Sequence, residues 1–398
     1  VNNQEYIQRH RDEDVRVLAL KPVPEGVDLK WCLQQIEGWQ TARHKLPRWA
    51  DIAGLWFPPH LSLEQCSSED TAKYKSQLAG RLLPSPDLRS SMIDLTGGYG
   101  VDFSYMAPAF QHAVYVEQQP HLCDIAKCNF PLLGLTNATI INEETSPDSP
   151  FMQEQYSLIY LDPSRRNTAG KKMVAIEDCT PNLAALQEIL LEHSRYVVIK
   201  LSPMLDITQA LRVLHQVCEI HIVSVRGECK ELLFVLSASS HRPTFYCVNL
   251  QSDDSVFVSD MPEEPRVPVC TENIQHYLYE PNASILKANQ QDALPGKYDI
   301  AKLHPQSHLF TSDTFYADFP GRVFETEDWS HFNKQELRLF LSGVSQANLT
   351  VRNFPSTVAE LRKKLKLKEG GDVYIFATTL HDGTHALIRC KKITRDKY

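Results

Sequence analysis

No stretch of the chain approaches the roughly 18 consecutive apolar residues of a membrane span. The first residues (Asn2, Gln4, Glu5, Arg9, His10, Arg11) are polar and charged, without the apolar run of a signal peptide. The ten cysteines contain no CxxC pair and no regular spacing. In a chain of this length that argues against a disulfide framework and for reduced thiols, so a cytoplasmic place is expected. His304 and His308 have helical spacing but no partner Cys or Asp at metal-ligand distance in the sequence, so no metal is expected there. Internal repeats and low-complexity tracts are also missing.

What is present is a globular composition. Of 398 residues, 42% are hydrophobic and 23% charged, enough for two to four domains with buried cores. The net charge of −8 rules out a polycation, but it hides an asymmetry. Residues 321–398 carry 14 Lys and Arg against 9 Asp and Glu, a net +5, which leaves −13 for the first 320. A basic C-terminal module on an acidic body fits a polyanionic partner for that module; ordinary surface variation fits as well.

Four stretches separate by pattern. Residues 1–88 read as helical, with apolar residues at three- and four-residue spacing in Leu29–Thr41 and Ser68–Leu83. Residues 89–240 alternate β-branched runs with helical segments, which predicts a doubly wound α/β domain with a parallel, Rossmann-like sheet. Seven strands are expected there, the last two (Ile220–Val225 and Leu232–Leu236) forming a hairpin. Residues 241–320 read as a small α+β module. Residues 321–398 parse as strand, helix, strand, helix and a final hairpin.

The densest signal is Met92-Ile93-Asp94-Leu95-Thr96-Gly97-Gly98-Tyr99-Gly100, where the first strand should end and a helix begin. Glycines there let the backbone turn and approach a ligand closely. No Gly-Lys-Ser/Thr follows, so a Walker loop is excluded, and the G-x-G-x-x-G dinucleotide fingerprint is missing. Asp94 stands before the glycines instead, a position suited to a cationic ligand. Glu117 closes the second strand, where a carboxylate can accept ribose hydroxyls. Asn142 and Glu143 end the third. Ligands of open α/β sheets bind at such strand ends.

This pattern resembles class I S-adenosylmethionine-dependent methyltransferases. The resemblance implies S-adenosylmethionine held by Asp94, Thr96, Gly97, Gly98, Gly100, Glu117, Asn142 and Glu143. Three further stretches, Glu64–Ala72, Asp162-Pro163-Ser164-Arg165-Arg166 and Gly227–Leu232, resemble bacterial methyltransferase-like proteins with a C-terminal THUMP-like domain. Tyr279-Glu280-Pro281-Asn282-Ala283 also fits that group, which carries a small ferredoxin-like module before the THUMP-like one.

The fourth strand runs into Asp162 and Pro163, the place where amino-group methyltransferases hold an Asp/Asn-Pro-Pro-aromatic motif. Here the aromatic is missing and Arg165 and Arg166 follow, with Lys171 and Lys172 beyond. These cations suit an RNA backbone, or they pair with acidic neighbours such as Glu228 and Glu231. Lys200, ending an apolar strand, should meet a carboxylate or a ligand. Asp162, Pro163, Arg165, Arg166 and Lys200 are therefore the catalytic candidates. Cys229 beside Lys230 could be a nucleophile or an inert turn cysteine. Ser67, with Asp70 three residues on, reads as the cap of the helix before the first strand. In the last module, Arg362, Lys363, Lys364, Lys366 and Lys368, with Arg352 and Asn353 nearby, offer an RNA-binding face or merely a solvated one. The expected function is methylation of RNA, with tRNA as acceptor; the alternative is a non-catalytic RNA-binding protein with the same fold.

Overall fold

Each β-branched run expected between residues 89 and 240 forms a strand: β1 Ser91–Asp94, β2 His112–Val116, β3 Ala138–Ile141, β4 Tyr156–Leu161, β5 Ser194–Leu201, β6 Val217–Val225 and β7 Glu228–Leu236. The computed structural model describes residues 2–165, 179–239 and 242–394. The chain divides into two compact units, one of Val1–Ile220 with Glu231–Pro243, the other of His221–Lys230 with Thr244–Tyr398.

In the first unit, β1 pairs in parallel with β2 and β4, β2 with β3, and β4 with β5. β7 joins β5 antiparallel, with Lys200 opposite Leu233 and Leu201 opposite Leu232. The sheet order through these strands is β6-β7-β5-β4-β1-β2-β3, so β1 and β4 are central and diverge from the reversal of order. Every residue of β4 is buried, as a strand covered on both faces requires. The helix α1 Asn3–His10 opens the chain with a capping box between Asn2 and Glu5. α2 Leu29–Lys45 and α3 Glu69–Leu82 follow. Trp49, Leu55, Phe57, Leu63 and Ala72 of this helical segment share one core cluster with Tyr99, Val101 and Leu122, so the segment belongs to the first unit. The cap of α3 is Ser68, whose hydroxyl accepts the Thr71 N–H, and not Ser67 as the sequence suggests. Ser67 is drawn to Asp102 instead.

The second unit differs more from expectation. The strands β8 Thr244–Leu250 and β9 Val256–Asp260 form an antiparallel hairpin that extends the order beyond β6, so the first sheet has nine strands where seven are expected. Within that unit the Arg226 N–H donates to Leu250 O, and the rings of His221 and Tyr246 stack 4.5 Å apart. A second sheet of seven strands runs without a break through residues 277–392. Its members are β10 Tyr277–Pro281, β11 Ala301–Lys302, β12 Phe310–Ser312, β13 Gly321–His331, β14 Asn348–Arg352, β15 Val373–Thr379 and β16 His385–Lys392. β10 pairs with β13, which pairs with β16. The helices α4 Lys334–Phe340 and α5 Val358–Leu365 of the last module lie where the sequence places them. None of the helices among the described residues is long and apolar enough to cross a membrane.

Candidate active site at the strand ends

The glycine segment turns tightly between β1 and the short helix that starts at Val101. Gly98 and Gly100 have φ of +56° and +82°, the left-handed region that favours glycine. A Cβ at Gly97 would overlap the Tyr115 ring, so close packing of loop on sheet requires glycine there too. The Gly97 N–H donates to Val116 O at 2.7 Å, and the Gly100 N–H to Gly97 O at 2.9 Å.

Asp94 lies 1% exposed beneath this turn and accepts the Thr96 N–H at 3.0 Å. Burial, more than any neighbour, holds its carboxyl well above the usual range. The Thr96 hydroxyl accepts the Asp162 N–H at 2.6 Å and reaches the Asp94 carboxylate at 3.4 Å, tying the end of β1 to the end of β4. Glu117 accepts the Gly98 N–H on one oxygen and the Gln119 N–H on the other, both at 2.8 Å. Each of these oxygens keeps a further lone pair. The Asn142 amide donates to the carbonyls of Glu117 and Gln118, so its donors brace the turn after β2, while Glu143 stands exposed. Asp94, Thr96, Gly97, Gly98, Gly100, Glu117, Asn142 and Glu143 are thus gathered at the ends of three adjacent strands.

Beside them, Lys200 at the end of β5 forms a close ion pair with Asp162 at the end of β4. The Asp162 side chain remains 38% exposed, that of Lys200 13%. Burial acts to lower the Lys200 pKa, but the facing carboxylates of Asp162, Asp102 and Glu231 outweigh it and hold the ammonium protonated. Pro163 is buried. Ser164 and Arg165 pair through their backbones with Cys179 and Thr180. The Arg165 side chain and Arg166, Lys171 and Lys172 lie outside the described residues.

Sequence reasoning missed the support beneath this pair. Lys75 of α3, 1% exposed, places its ammonium 2.6 and 2.8 Å from the Glu231 carboxylate oxygens, 3.1 Å from Asp102 Oδ1 and 3.1 Å from the Ser67 hydroxyl. Asp102 also accepts the Ser67 hydroxyl at 2.8 Å and the Tyr160 phenol at 2.7 Å. Burial works against the Asp102 charge. The Lys75 and Lys200 cations and these two donors outweigh it, so its pKa is lowered. Glu231, whose hydrogen bonds come from Lys75, is raised by burial. Three sequence stretches that the glycine fingerprint leaves unexplained thus converge: Ser67 with Lys75, Asp162, and Glu231. The available signal was a lysine on the apolar stripe of α3, between Ala72 and Leu78.

The second unit accounts for other singled-out residues. Glu280 is buried and takes the Arg322 guanidinium on one oxygen and Arg352 at 2.7 Å on the other. Arg352, 35% exposed at its side chain, thus has an acidic partner, and Asn353 contacts His304 Nδ1 at 3.1 Å. On α5, Arg362 donates to Ala347 O and Lys364 lies over the Phe332 ring at 4.5 Å, while Lys363 and Lys366 stand exposed. Lys230 engages Glu228 at 2.6 Å, away from the role of thiolate partner for Cys229.

Residues 321–392 match the THUMP domain-like family and residues 277–320 a ferredoxin-like domain family. A solved protein of Porphyromonas gingivalis W83, described as a "putative methyltransferase", is 32% identical, with 98% of each chain covered and a TM-score of 0.86. An S-adenosylmethionine-dependent methyltransferase of Agrobacterium tumefaciens is 19% identical over 33% of this chain and 44% of its own, with a TM-score of 0.26. An rRNA methylase of Streptococcus thermophilus is 14% identical over 41% and 94%, with a TM-score of 0.32. No curated protein matches.

Proposed function

The chain belongs to the family of methyltransferase-like proteins that includes the Porphyromonas gingivalis protein, and from that premise we propose that it methylates RNA, with tRNA as the acceptor and S-adenosylmethionine as donor. One observation carries the reading: two buried carboxylates at successive strand ends flank a glycine turn, next to a half-buried Asp162–Lys200 pair on the same sheet edge. The donor set fits this cofactor. Glu117 keeps a lone pair on each oxygen after accepting the Gly98 and Gln119 N–H groups, and Asp94 adds a buried carboxyl beneath the glycine turn, acceptors of the kind that a ligand with an amino group and ribose hydroxyls requires.

In this reading Asp94 and Thr96 hold the aminoacyl end and Glu117 accepts the ribose hydroxyls. Asn142 and Glu143 border the adenine, and Gly97, Gly98 and Gly100 allow close approach. The bound cofactor supplies an activated methyl group. Asp162 orients the acceptor, Pro163 shapes the turn that carries it, and Lys200 fixes the Asp162 carboxylate. Arg165 and Arg166 would meet the acceptor's phosphates. The THUMP-like match and the +5 charge of residues 321–398 support RNA as partner, gripped by Lys363 and Lys366; the ten cysteines without regular spacing fit the cytoplasm as the place of action.

The missing aromatic after Pro163 favours a second reading, a protein that binds RNA without transferring methyl groups. Mass spectrometry of nucleosides from cells with and without the gene separates the two. A methylated nucleoside that disappears, and returns with wild type but not with Asp162→Ala, supports the enzyme. Identical profiles support the binder.

A further inference from the structure

The groups beside the methyl-transfer position restrict what the acceptor atom can be. Asp162 offers a carboxylate acceptor, and Lys200 offers an ammonium donor in direct contact with it. An unprotonated ring nitrogen or a carbonyl oxygen would meet the aspartate as a like-polarity neighbour, and a protonated ring nitrogen donates to Asp162 but has its lone pair delocalised and offers the ammonium no acceptor at the reacting atom. An exocyclic amino group presents N–H donors, which suit Asp162 but leave the ammonium facing hydrogens. A hydroxyl is donor and acceptor together: its proton fits Asp162 and its oxygen lone pair fits Lys200. From this match we infer that the methylated atom is a hydroxyl oxygen, the ribose 2′-hydroxyl of RNA. The inference rests on the reading of the protein as an RNA methyltransferase.

The rest of the cluster serves the same assignment. Asp102 and Glu231 face Lys200 in addition to Asp162 and keep it protonated, so it acts as a donor to the reacting oxygen and not as a base. Lys75 balances those two carboxylates from behind and fixes them in place. The missing aromatic after Pro163 also finds a reason, because a ribose acceptor needs no base stacked in the pocket. Charge and atoms balance in one step. The hydroxyl proton passes to Asp162 and its oxygen forms the new O–CH3 bond. The S–CH3 bond of the sulfonium donor breaks with its electron pair going to sulfur, leaving a neutral thioether, and Asp162 returns the proton to water. Lys200 stabilises the oxygen while its negative charge develops.

The test uses the full-length protein, methyl-labelled S-adenosylmethionine and total RNA from cells lacking the gene. Alkali cleaves RNA through the 2′-oxygen, so a 2′-O-methyl group leaves an alkali-stable dinucleotide. The expected result is label in dinucleotides, reduced at least about 100-fold by Lys200→Met. Lys200→Arg, which keeps a cationic donor, should restore part of it, with calorimetric affinity for S-adenosylhomocysteine unchanged in both variants. Label in base-methylated mononucleotides overturns the hydroxyl assignment and leaves the methyltransferase reading standing. Absence of label in any RNA fraction overturns both. Equal loss in Lys200→Met and Lys200→Arg, accompanied by lost cofactor affinity, reduces Lys200 to a structural residue and also overturns the assignment.

Discussion

The strand-end crevice of the first unit and the helix α5 of the second both concentrate lysines, in opposite surroundings. Around Lys75, a carboxylate on β7, another after the glycine turn and a hydroxyl before α3 converge within 3.1 Å of one nitrogen that solvent scarcely reaches. On α5 and at its end, Lys363 and Lys366 reach into solvent, and the neighbouring Arg362 and Lys364 are spent on a backbone carbonyl and an aromatic ring. Removing an ammonium from water costs several kcal/mol, which only well-placed partners offset, so a buried lysine constrains its surroundings strongly. An exposed one constrains almost nothing. The chemistry of the first region can therefore be argued from geometry, whereas that of the second rests on charge and family likeness.

The largest effect that would sharpen this contrast is on stability. Lys75→Met strands Glu231 and Asp102, and urea unfolding should show a loss of about 3–5 kcal/mol. Combining it with Glu231→Leu should recover a substantial part, since the stranded carboxylate is then removed. Lys363→Gln with Lys366→Asn, the asparagine chosen because residue 366 has a φ of +55°, should leave the midpoint unchanged. Equal losses in both regions would erase the distinction.

Next in size is Gly97→Ala. The added methyl meets the Tyr115 ring, so a loss of about 1–3 kcal/mol is expected, together with weakened S-adenosylhomocysteine binding. Unaltered stability and affinity would show that the turn has slack.

A smaller effect is pH-dependent. The folded-state pKa of Asp94 is raised by burial, so its stabilising contribution is present below the unfolded carboxyl pKa and fades as pH rises through the folded value. Asp94→Asn has no such loss. Its stability relative to wild type should climb with pH across that window, and a difference that narrowed with rising pH would contradict the assignment of a buried, reluctant charge. The smallest effect concerns RNA. Lys363→Gln with Lys366→Asn should lower the log–log salt slope of tRNA binding by roughly 0.7–0.9 for each phosphate that the protein no longer neutralises. An unchanged slope would make α5 a solvated face.

Much of the fold was legible because its signals are local. The β-branched runs around Ile93, Val114 and Ile159 mark strands, and the glycines before Val101 mark the turn that follows β1. The place of Lys200 was legible as well, because a lysine ending the apolar run Val197–Ile199 demands a partner. What stayed hidden is long-range. Lys75 meets Glu231 across 156 positions, and the apolar stripe of α3 that marks Lys75 as buried does not name its partner. Ser67 looked like a cap because hydroxyls before helices usually are, yet its neighbour Ser68 takes that role and frees Ser67 for Asp102. The addition of β8 and β9 beyond β6 follows from an edge left open for pairing, which the sequence of the hairpin does not announce. The pairing of Arg352 with Glu280, far earlier in the chain, is likewise long-range and has no local signal.

Calorimetric titration of S-adenosylhomocysteine tests the central claim most directly. One site per chain is expected, weakened at least tenfold by Asp94→Asn and by Glu117→Gln, and unaffected by Lys363→Gln with Lys366→Asn. Absence of binding to the wild-type protein, or affinity indifferent to both carboxylate substitutions, would contradict it.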